Sequence, residues 1–199
     1  MRPLCSVLLL LIPSAAPALR AGSVTIDFEG FPDSTILTNQ YPGLTFSNAI
    51  ILTAGVSLNE FEFPPHSGVN VASDYGGPMS IAFDTSVLSF GGYFTYAEPL
   101  TLTAFDSLSH QVASATSAYS NNEALSGDPG SSPNEFLQVA FASGIASVTI
   151  TGDPAGGSFT LDDAGYMSAA PEPSFVVPLL TMAALAVAAR KRARNHQSL

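Results

Sequence analysis

Leu100-Thr101-Leu102-Thr103 carries the pattern that sets the expected fold class, an apolar residue alternating with threonine. Val148-Thr149-Ile150-Thr151 repeats it. Because successive side chains on a β-strand point to opposite faces, the apolar residues of both stretches could face a core while the threonines face water. This alternation is typical of half-buried strands, and residues 22–169 show no convincing helical periodicity.

Ten short segments rich in Val, Ile, Thr, Phe and Tyr predict strands, since Gly, Pro, Asn, Asp and Ser clusters separate them. They are residues 24–28, 44–47, 68–72, 79–83, 87–95, 100–105, 111–115, 136–141, 147–151 and 158–161. One twisted sheet of that size would leave an apolar face exposed, so we expect an all-β antiparallel sandwich of two sheets, and within that class a jelly roll. The polar stretch 117–134 predicts an exposed loop.

Charge is divided sharply along the chain. The basic residues occupy only the two ends, as Arg2, Arg20, Arg190, Lys191, Arg192 and Arg194. Residues 21–189 hold all 16 acidic residues and no Lys or Arg. Phosphate contacts depend on Lys and Arg, so nucleic-acid binding is excluded. Each carboxylate must be solvated, hydrogen-bonded to neutral donors, placed near a His, or bound to a metal.

The N-terminus has the pattern of a secretory signal peptide, which we place at residues 1–21. Arg2 precedes the apolar run 4–12, and Ala16-Pro17-Ala18 follows, so cleavage is expected after Ala18 or Ala21. Three prolines oppose the alternative of a buried helix. The single cysteine, Cys5, lies in this leader, so the exported protein has no disulfide.

The C-terminus has three parts in order. Pro171-Glu172-Pro173 comes first, then the uncharged stretch 174–189, then the basic cluster of Arg190, Lys191, Arg192 and Arg194. As a helix the uncharged stretch is about 24 Å long, a little short of a bilayer core of about 30 Å. The basic cluster predicts a cytoplasmic end, with the body outside the membrane.

This tripartite end, residues 170–194 followed by a tail at 195–199, resembles the PEP-CTERM sorting signal of Gram-negative bacteria. The resemblance implies recognition by an exosortase, a membrane transpeptidase that cuts near Pro171–Pro173, and association with exopolysaccharide at the cell surface or in the matrix. An anchor that is never cut is the alternative. The body, residues 22–169, resembles the β-sandwich domains that precede such tails, with Ile26-Asp27-Phe28-Glu29 opening it and Phe159-Thr160-Leu161-Asp162-Asp163 closing it.

Four carboxylates suggest a calcium site. Asp27 and Glu29 are two residues apart on the first predicted strand and so share a face, while Asp162 and Asp163 end the last predicted strand. If the first and last strands lie side by side, these groups repel one another unless a hard cation such as Ca²⁺ binds. The resemblance to galactose-binding-type sandwiches points the same way. The alternative is that all four are ordinary solvated carboxylates.

Catalytic motifs are absent from the sequence, including G-x-S-x-G and H-E-x-x-H. His66 and His110 fall at predicted turns, where we expect solvated side chains, and Tyr75 lies in a turn able to expose its ring to a ligand. Tyr93 and Tyr96 are expected in the core or at its rim. The first hypothesis is a non-enzymatic surface or matrix protein; the alternatives are a calcium-dependent carbohydrate-binding module and a glycosidase or lyase.

Overall fold

A computed structural model describes residues 22–168, which form ten strands with antiparallel pairing throughout. The strands are β1 Ser23–Ile26, β2 Ile36–Leu37, β3 Leu44–Ser47, β4 Ala49–Thr53, β5 Asn70–Asp74, β6 Met79–Tyr96, β7 Thr101–Phe105, β8 Gln111–Thr116, β9 Glu135–Thr151 and β10 Phe159–Ser168. The all-β antiparallel class predicted from the sequence is therefore confirmed. The predicted signal peptide, Pro-Glu-Pro motif, apolar segment and basic cluster lie outside the described residues. Within residues 22–168, no helix has the length and apolar character needed to cross a bilayer.

Two long strands, β6 and β9, hold the fold together. Each was predicted as two separate strands, and that prediction is wrong because each continues through a bend. Their pairing shifts register between Ala82 and Val87, which marks the bend in β6. Before it, β6 pairs with β3; after it, β6 pairs with β10. One half of the sheet therefore contains β3, β6, β9, β7 and β8, and the other contains β2, β4, β5, β10, β1, β6 and β9.

The core lies between these two halves. A single buried cluster includes Phe46 and Ile81 from one half and Phe94 and Phe159 from the other. Phe83 and Phe90 stand on opposite sides of the bend in β6, yet their ring centroids are only 5.9 Å apart. The two halves thus enclose one apolar layer, which is the arrangement of a β-sandwich. The jelly-roll subclass stays a prediction.

The strand ends differ from the sequence expectation at the two acidic segments. β1 ends at Ile26, and Phe28 has a left-handed φ of 59° with its ring fully buried, so Asp27 and Glu29 follow the strand rather than lying on it. Asp162 and Asp163 lie in the middle of β10, which continues to Ser168. The prediction missed β2 and β4 altogether.

The polar stretch 117–134 is a loop, as predicted, but it is anchored rather than simply exposed. Asn122 is fully buried within it. Its side-chain amide donates to the carbonyls of Phe94 and Ser132 at 2.9 and 3.0 Å, and its side-chain oxygen accepts from the amide of Tyr96 at 2.7 Å. A buried amide satisfied on both sides ties the loop to the end of β6.

Candidate functional site

A groove of about 460 Å³ crosses the outer face of β1, β10, β6 and β9. Its floor is one row of residues in register across these four strands. Thr25 pairs with Gly165, Gly165 with Gly91, and Gly91 with Gln138. The two central positions therefore present no side chain, and the row is lower in the middle than the rows beside it.

Aromatic side chains form one wall of this groove. Tyr93 pairs with Phe136 across β6 and β9, and their ring centroids are 5.1 Å apart at an interplanar angle of 55°. Phe136 is 51% exposed, which is high for a phenylalanine on the face of a sheet. On the other side of the floor lie Ser89 and Met167, which pair with each other across β6 and β10. The groove is thus aromatic on one side and mixed in character on the other.

The two floor glycines differ in what a side chain there would contact. A Cβ at Gly91 would lie 2.7 Å from the Leu137 carbonyl oxygen and 3.1 Å from Cζ of Phe136, so the close approach of β9 and of the aromatic ring requires glycine. At Gly165 the only near atom would be the Val24 carbonyl oxygen, at 3.4 Å, an ordinary contact. Glycine at position 165 therefore keeps the groove open without being needed for packing.

His66 extends the aromatic wall from the loop before β5. Its ring stacks on Tyr93 with centroids 3.5 Å apart and an interplanar angle of 9°. Its Nδ1 lies 2.6 Å from Oδ2 of Asp163, and because an ionised carboxylate can only accept, Nδ1 carries the proton. The side chain is 35% exposed, so His66 is a solvent-accessible loop residue as predicted, but its contacts with Tyr93 and Asp163 were not predicted.

Carboxylates hold the loop that carries His66. Oδ2 of Asp162 accepts from the Ser67 amide at 2.8 Å, and Oδ1 of Asp163 accepts from the Ser67 hydroxyl at 3.0 Å. Oε1 of Glu29 accepts from the amides of Val69 and Asn70, both at 2.8 Å. Three acidic residues thus converge on residues 66–70, and donors from the loop relieve them.

Asp162 is the most deeply placed of these groups, at 1% exposure. Burial raises the pKa of its carboxyl to about 6, and the charge of Asp163 adds to the rise. The Ser67 and Asp163 amides oppose it by favouring the ionised form. The loop that carries His66 is therefore hydrogen-bonded to a carboxyl group whose ionised form is disfavoured by burial.

The four residues predicted to bind calcium do not assemble into one ligand set. Asp27 accepts from the Glu29 amide at 3.2 Å and stays near the surface, while the other three bind the loop. Among residues 22–168, no three His, Cys, Asp or Glu side chains are placed to hold a metal together. β1 and β10 do pair, as expected, but protein donors occupy the carboxylates where a cation was expected. Calcium binding stays a prediction.

The other tyrosine and histidine residues singled out from the sequence lie outside the groove. Tyr75 is exposed, at 57%, as predicted, but it is not among the residues that line the groove. His110, with a 71% exposed side chain, is a solvated turn residue, and Tyr96 is in the core.

Sequence reasoning missed the role of Gly91, Gly165, Phe136 and Gln138. The signal available was Gly91-Gly92 inside a predicted strand, since an internal strand glycine often marks close approach of another group.

Comparisons with known proteins give no close relative. No family model matches the chain, and no curated protein matches it. Three solved structures show distant likeness. A DUF4465 family protein from Bacteroides caccae has 13% identity and a TM-score of 0.49 over 74% of this chain and 100% of its own. The K2 cleaved adhesin domain of Lys-gingipain has 12% identity and a TM-score of 0.47, over 74% of this chain and 98% of its own.

The third structure is a family 11 carbohydrate-binding module from Clostridium thermocellum, in complex with a β-1,3-1,4-mixed-linked tetrasaccharide. It has 10% identity and a TM-score of 0.35, over 75% of this chain and 98% of its own. Likenesses at these TM-scores and identities say nothing about function, which therefore depends on the groove itself.

Proposed function

We propose that this chain is an exported, non-enzymatic protein whose β-sandwich binds a glycan in the groove across β1, β10, β6 and β9. The observation that carries the proposal is the aromatic wall beside a floor of two glycines. Tyr93 and Phe136 offer apolar ring faces, Gly91 allows the Phe136 ring to lie close to the floor, and Gly165 leaves open space next to it. A concave site lined by aromatic groups with a few polar groups beside them is typical of small-molecule and oligosaccharide binding.

The chemistry of the lining suits a sugar chain. The apolar C–H face of a pyranose ring packs on an aromatic ring, and its hydroxyls need partners that can both donate and accept. Thr25, Ser89 and Gln138 supply such partners along the floor and far wall. From β1 to β9 the floor spans three inter-strand spacings, about 14 Å, which is longer than one sugar ring. The groove therefore favours an oligosaccharide segment over a monosaccharide.

The same lining favours binding over cleavage. Glycoside hydrolysis ordinarily uses a pair of carboxyl groups on either side of the scissile bond. Asp163 is the one carboxylate among the residues lining the groove, and both of its oxygens already have partners in His66 and Ser67. A glycosidase or lyase is thus the weaker alternative. Detection of shortened or unsaturated products after incubation with the bound glycan would support it.

Sorting by an exosortase is the second part of the proposal, and the sequence alone supports it. Pro171-Glu172-Pro173, the apolar stretch 174–189 and the basic cluster from Arg190 stand in the order of the sorting signal. In a host that contains an exosortase, alanine at all three positions of 171–173 is expected to leave a longer, membrane-retained protein. Normal shortening and release of that variant would contradict this part of the proposal.

Binding in the groove is tested on a glycan array with the full chain, purified in a detergent without a sugar headgroup. Tyr93→Ala and Phe136→Ala are each expected to abolish or strongly weaken the signal of the bound glycan. Tyr75→Ala is the matched control, because it removes an exposed tyrosine outside the groove. Equal loss in the control, or retained binding in both groove variants, would contradict the proposal.

A further inference from the structure

The charges around the groove are unusually one-sided. Fifteen of the 16 acidic residues lie within residues 22–168, and none of the six Lys and Arg residues does. Asp163 lines the groove, and the nearly buried Asp162 precedes it in β10. The polar groups of the floor and far wall are neutral and include those of Thr25, Ser89 and Gln138. A ligand in the groove therefore meets a negative field that no Lys or Arg of residues 22–168 offsets.

The only side chain of the lining that can carry a positive charge is already engaged. His66 lies with Nδ1 2.6 Å from Asp163, so any charge it gains is shared with that carboxylate. His110, the other histidine of residues 22–168, lies beside Asp106 at 3.4 Å and does not line the groove. An anionic group entering the groove would lose water without gaining a cationic partner, which is an unfavourable exchange.

We infer that the groove selects a neutral glycan and rejects polymers that carry uronate, sulfate or phosphate groups. This inference rests on the proposed function and adds the chemical class of the ligand. Tyr93 and Phe136 give affinity for the sugar face, and neutral hydroxyl and amide groups bind the sugar hydroxyls. The selection against acidic chains comes from the net negative charge of residues 22–168, which no Lys or Arg of that range offsets. The domain thus distinguishes neutral from acidic polysaccharides in a mixed extracellular matrix.

The first experiment is an array of neutral and acidic polysaccharides probed with the full chain at physiological salt. We expect every ligand whose signal falls in both Tyr93→Ala and Phe136→Ala to be neutral. A uronate-bearing or sulfated ligand that depends on these residues would overturn the charge inference and leave the proposed function standing. Absence of any ligand that depends on them would overturn the proposed function and the charge inference with it.

The second experiment uses two derivatives of the neutral glycan that binds, one carboxymethylated and one hydroxyethylated to the same extent. The hydroxyethylated form controls for bulk. We expect the carboxymethylated form to bind about tenfold more weakly at low salt, as one uncompensated charge at contact distance predicts, and the gap to narrow in high salt. Equal binding of the two derivatives at low salt would overturn the inference.

A matched pair of substitutions on the floor makes the test independent of the ligand's structure. Gln138 is exposed on β9 and lines the groove. We expect Gln138→Lys to reduce the preference for the hydroxyethylated over the carboxymethylated form, because it adds a positive charge. We expect Gln138→Glu to increase that preference, because it adds a negative charge. If the two variants show the same preference, charge does not govern selection and the inference is wrong.

Discussion

The two outer faces of this sandwich are built from the same two long strands, yet they differ completely in side chains. On the half with β3, β7 and β8, a row in register across five strands carries only hydroxyl groups, from Ser47, Ser80, Thr149, Thr103 and Ser114. On the other half, the groove row has Thr25 and Gln138 at its ends and two glycines between them, with aromatic rings beside it.

The difference shows that strand pairing alone does not make the site, which also needs particular side chains on the paired strands and one loop. Short hydroxyl side chains of similar size cover a pleated surface evenly, and Ser80 and Thr149 even contact each other, with oxygens 3.3 Å apart. Alternating a glycine row with an aromatic row makes a groove on the same backbone. His66 then enlarges the aromatic wall, because carboxylates fix its loop. We call these surfaces the hydroxyl face and the groove face.

The largest expected effect is a loss of glycan binding in variants of the groove face that variants of the hydroxyl face do not show. The double variant Tyr93→Ala with Phe136→Ala should lose at least about 2 kcal/mol of binding free energy for the glycan, the cost of truncating one central aromatic residue, because the two rings contact each other and their contributions do not simply add. Its control is Thr103→Ala with Thr149→Ala on the hydroxyl face, which should leave the dissociation constant within about twofold. Isothermal titration measures both. Loss of binding in the control would show that the glycan binds the hydroxyl face, which would contradict the proposed site.

The next effect in size is a pH dependence of folding stability, which Asp162, the neighbour of the groove residue Asp163, should share with Asp74 at the end of β5, because burial raises the pKa of both carboxyl groups. The pKa of Asp162 is about 6 in the folded chain, and an unfolded aspartate titrates near 3.9, so the folded state holds this proton more tightly. Its contribution to stability is full below pH 4 and is lost as the pH rises through 6. The two-unit shift corresponds to about 3 kcal/mol. Hydrogen bonds lower the pKa of Asp33 and Asp106, which would have the opposite effect on stability, but neither carboxylate is deeply buried, so solvent screens both.

Urea unfolding at several pH values, followed by tyrosine fluorescence because the chain has no Trp, measures this contribution. Asp162→Asn should reduce the fall in stability between pH 4 and 7, with Asp74 contributing the remainder, whereas Asp84→Asn, at an exposed position within the bend of β6, should not reduce it. A wild-type chain whose stability rises through this pH range would contradict the role given to Asp162.

A smaller effect distinguishes the two floor glycines. Gly165→Val should weaken glycan binding about tenfold by filling the groove while unfolding stability stays equal or rises by up to about 1 kcal/mol, since valine suits a strand better than glycine. Gly91→Ala should instead cost about 1–3 kcal/mol of stability, because its Cβ meets the Leu137 carbonyl. Binding and melting measurements on both variants check this. A strongly destabilised Gly165→Val would show that position 165 is needed for packing.

Calcium should have the smallest effect. Since amides and hydroxyls of residues 67–70 already relieve Glu29, Asp162 and Asp163, adding calcium or a chelator should leave the melting temperature unchanged. A chelator-sensitive melting temperature that is lost in both Asp27→Ala and Asp162→Ala would instead establish the terminal metal site that the sequence predicts, because a ligand that binds only the folded state stabilises it.

Much of the fold could be read from local patterns. The alternation in residues 44–47, 101–105 and 111–116 placed β3, β7 and β8 within a residue of their observed ends. The bends in β6 and β9 were not predictable in the same way, because a bend with polar residues inside a long strand has the same composition as a turn between two strands. β2 is two residues long and depends on β4 for pairing, so no local pattern marks it.

The site was less predictable than the fold. The sequence singled out the acidic residues near both ends of the domain as calcium ligands, and that stays a prediction. In the structure, Glu29 and Asp162 accept from backbone amides of residues 67–70, which carry no sequence signal of their own. His66 was placed at a turn, which is correct, yet its contact with Tyr93 joins residues 27 positions apart and depends on tertiary structure alone. The groove floor depends on the register of four strands, which a single sequence does not reveal.

The most direct test of the account is a map of amide chemical-shift changes in the full chain as the neutral glycan that binds is added. The account predicts that the largest changes fall on the groove face, at Thr25, Gly91, Gln138 and Gly165, while Ser80, Thr103 and Thr149 on the hydroxyl face stay unchanged. Changes centred on the hydroxyl face, or spread equally over both faces, would contradict it.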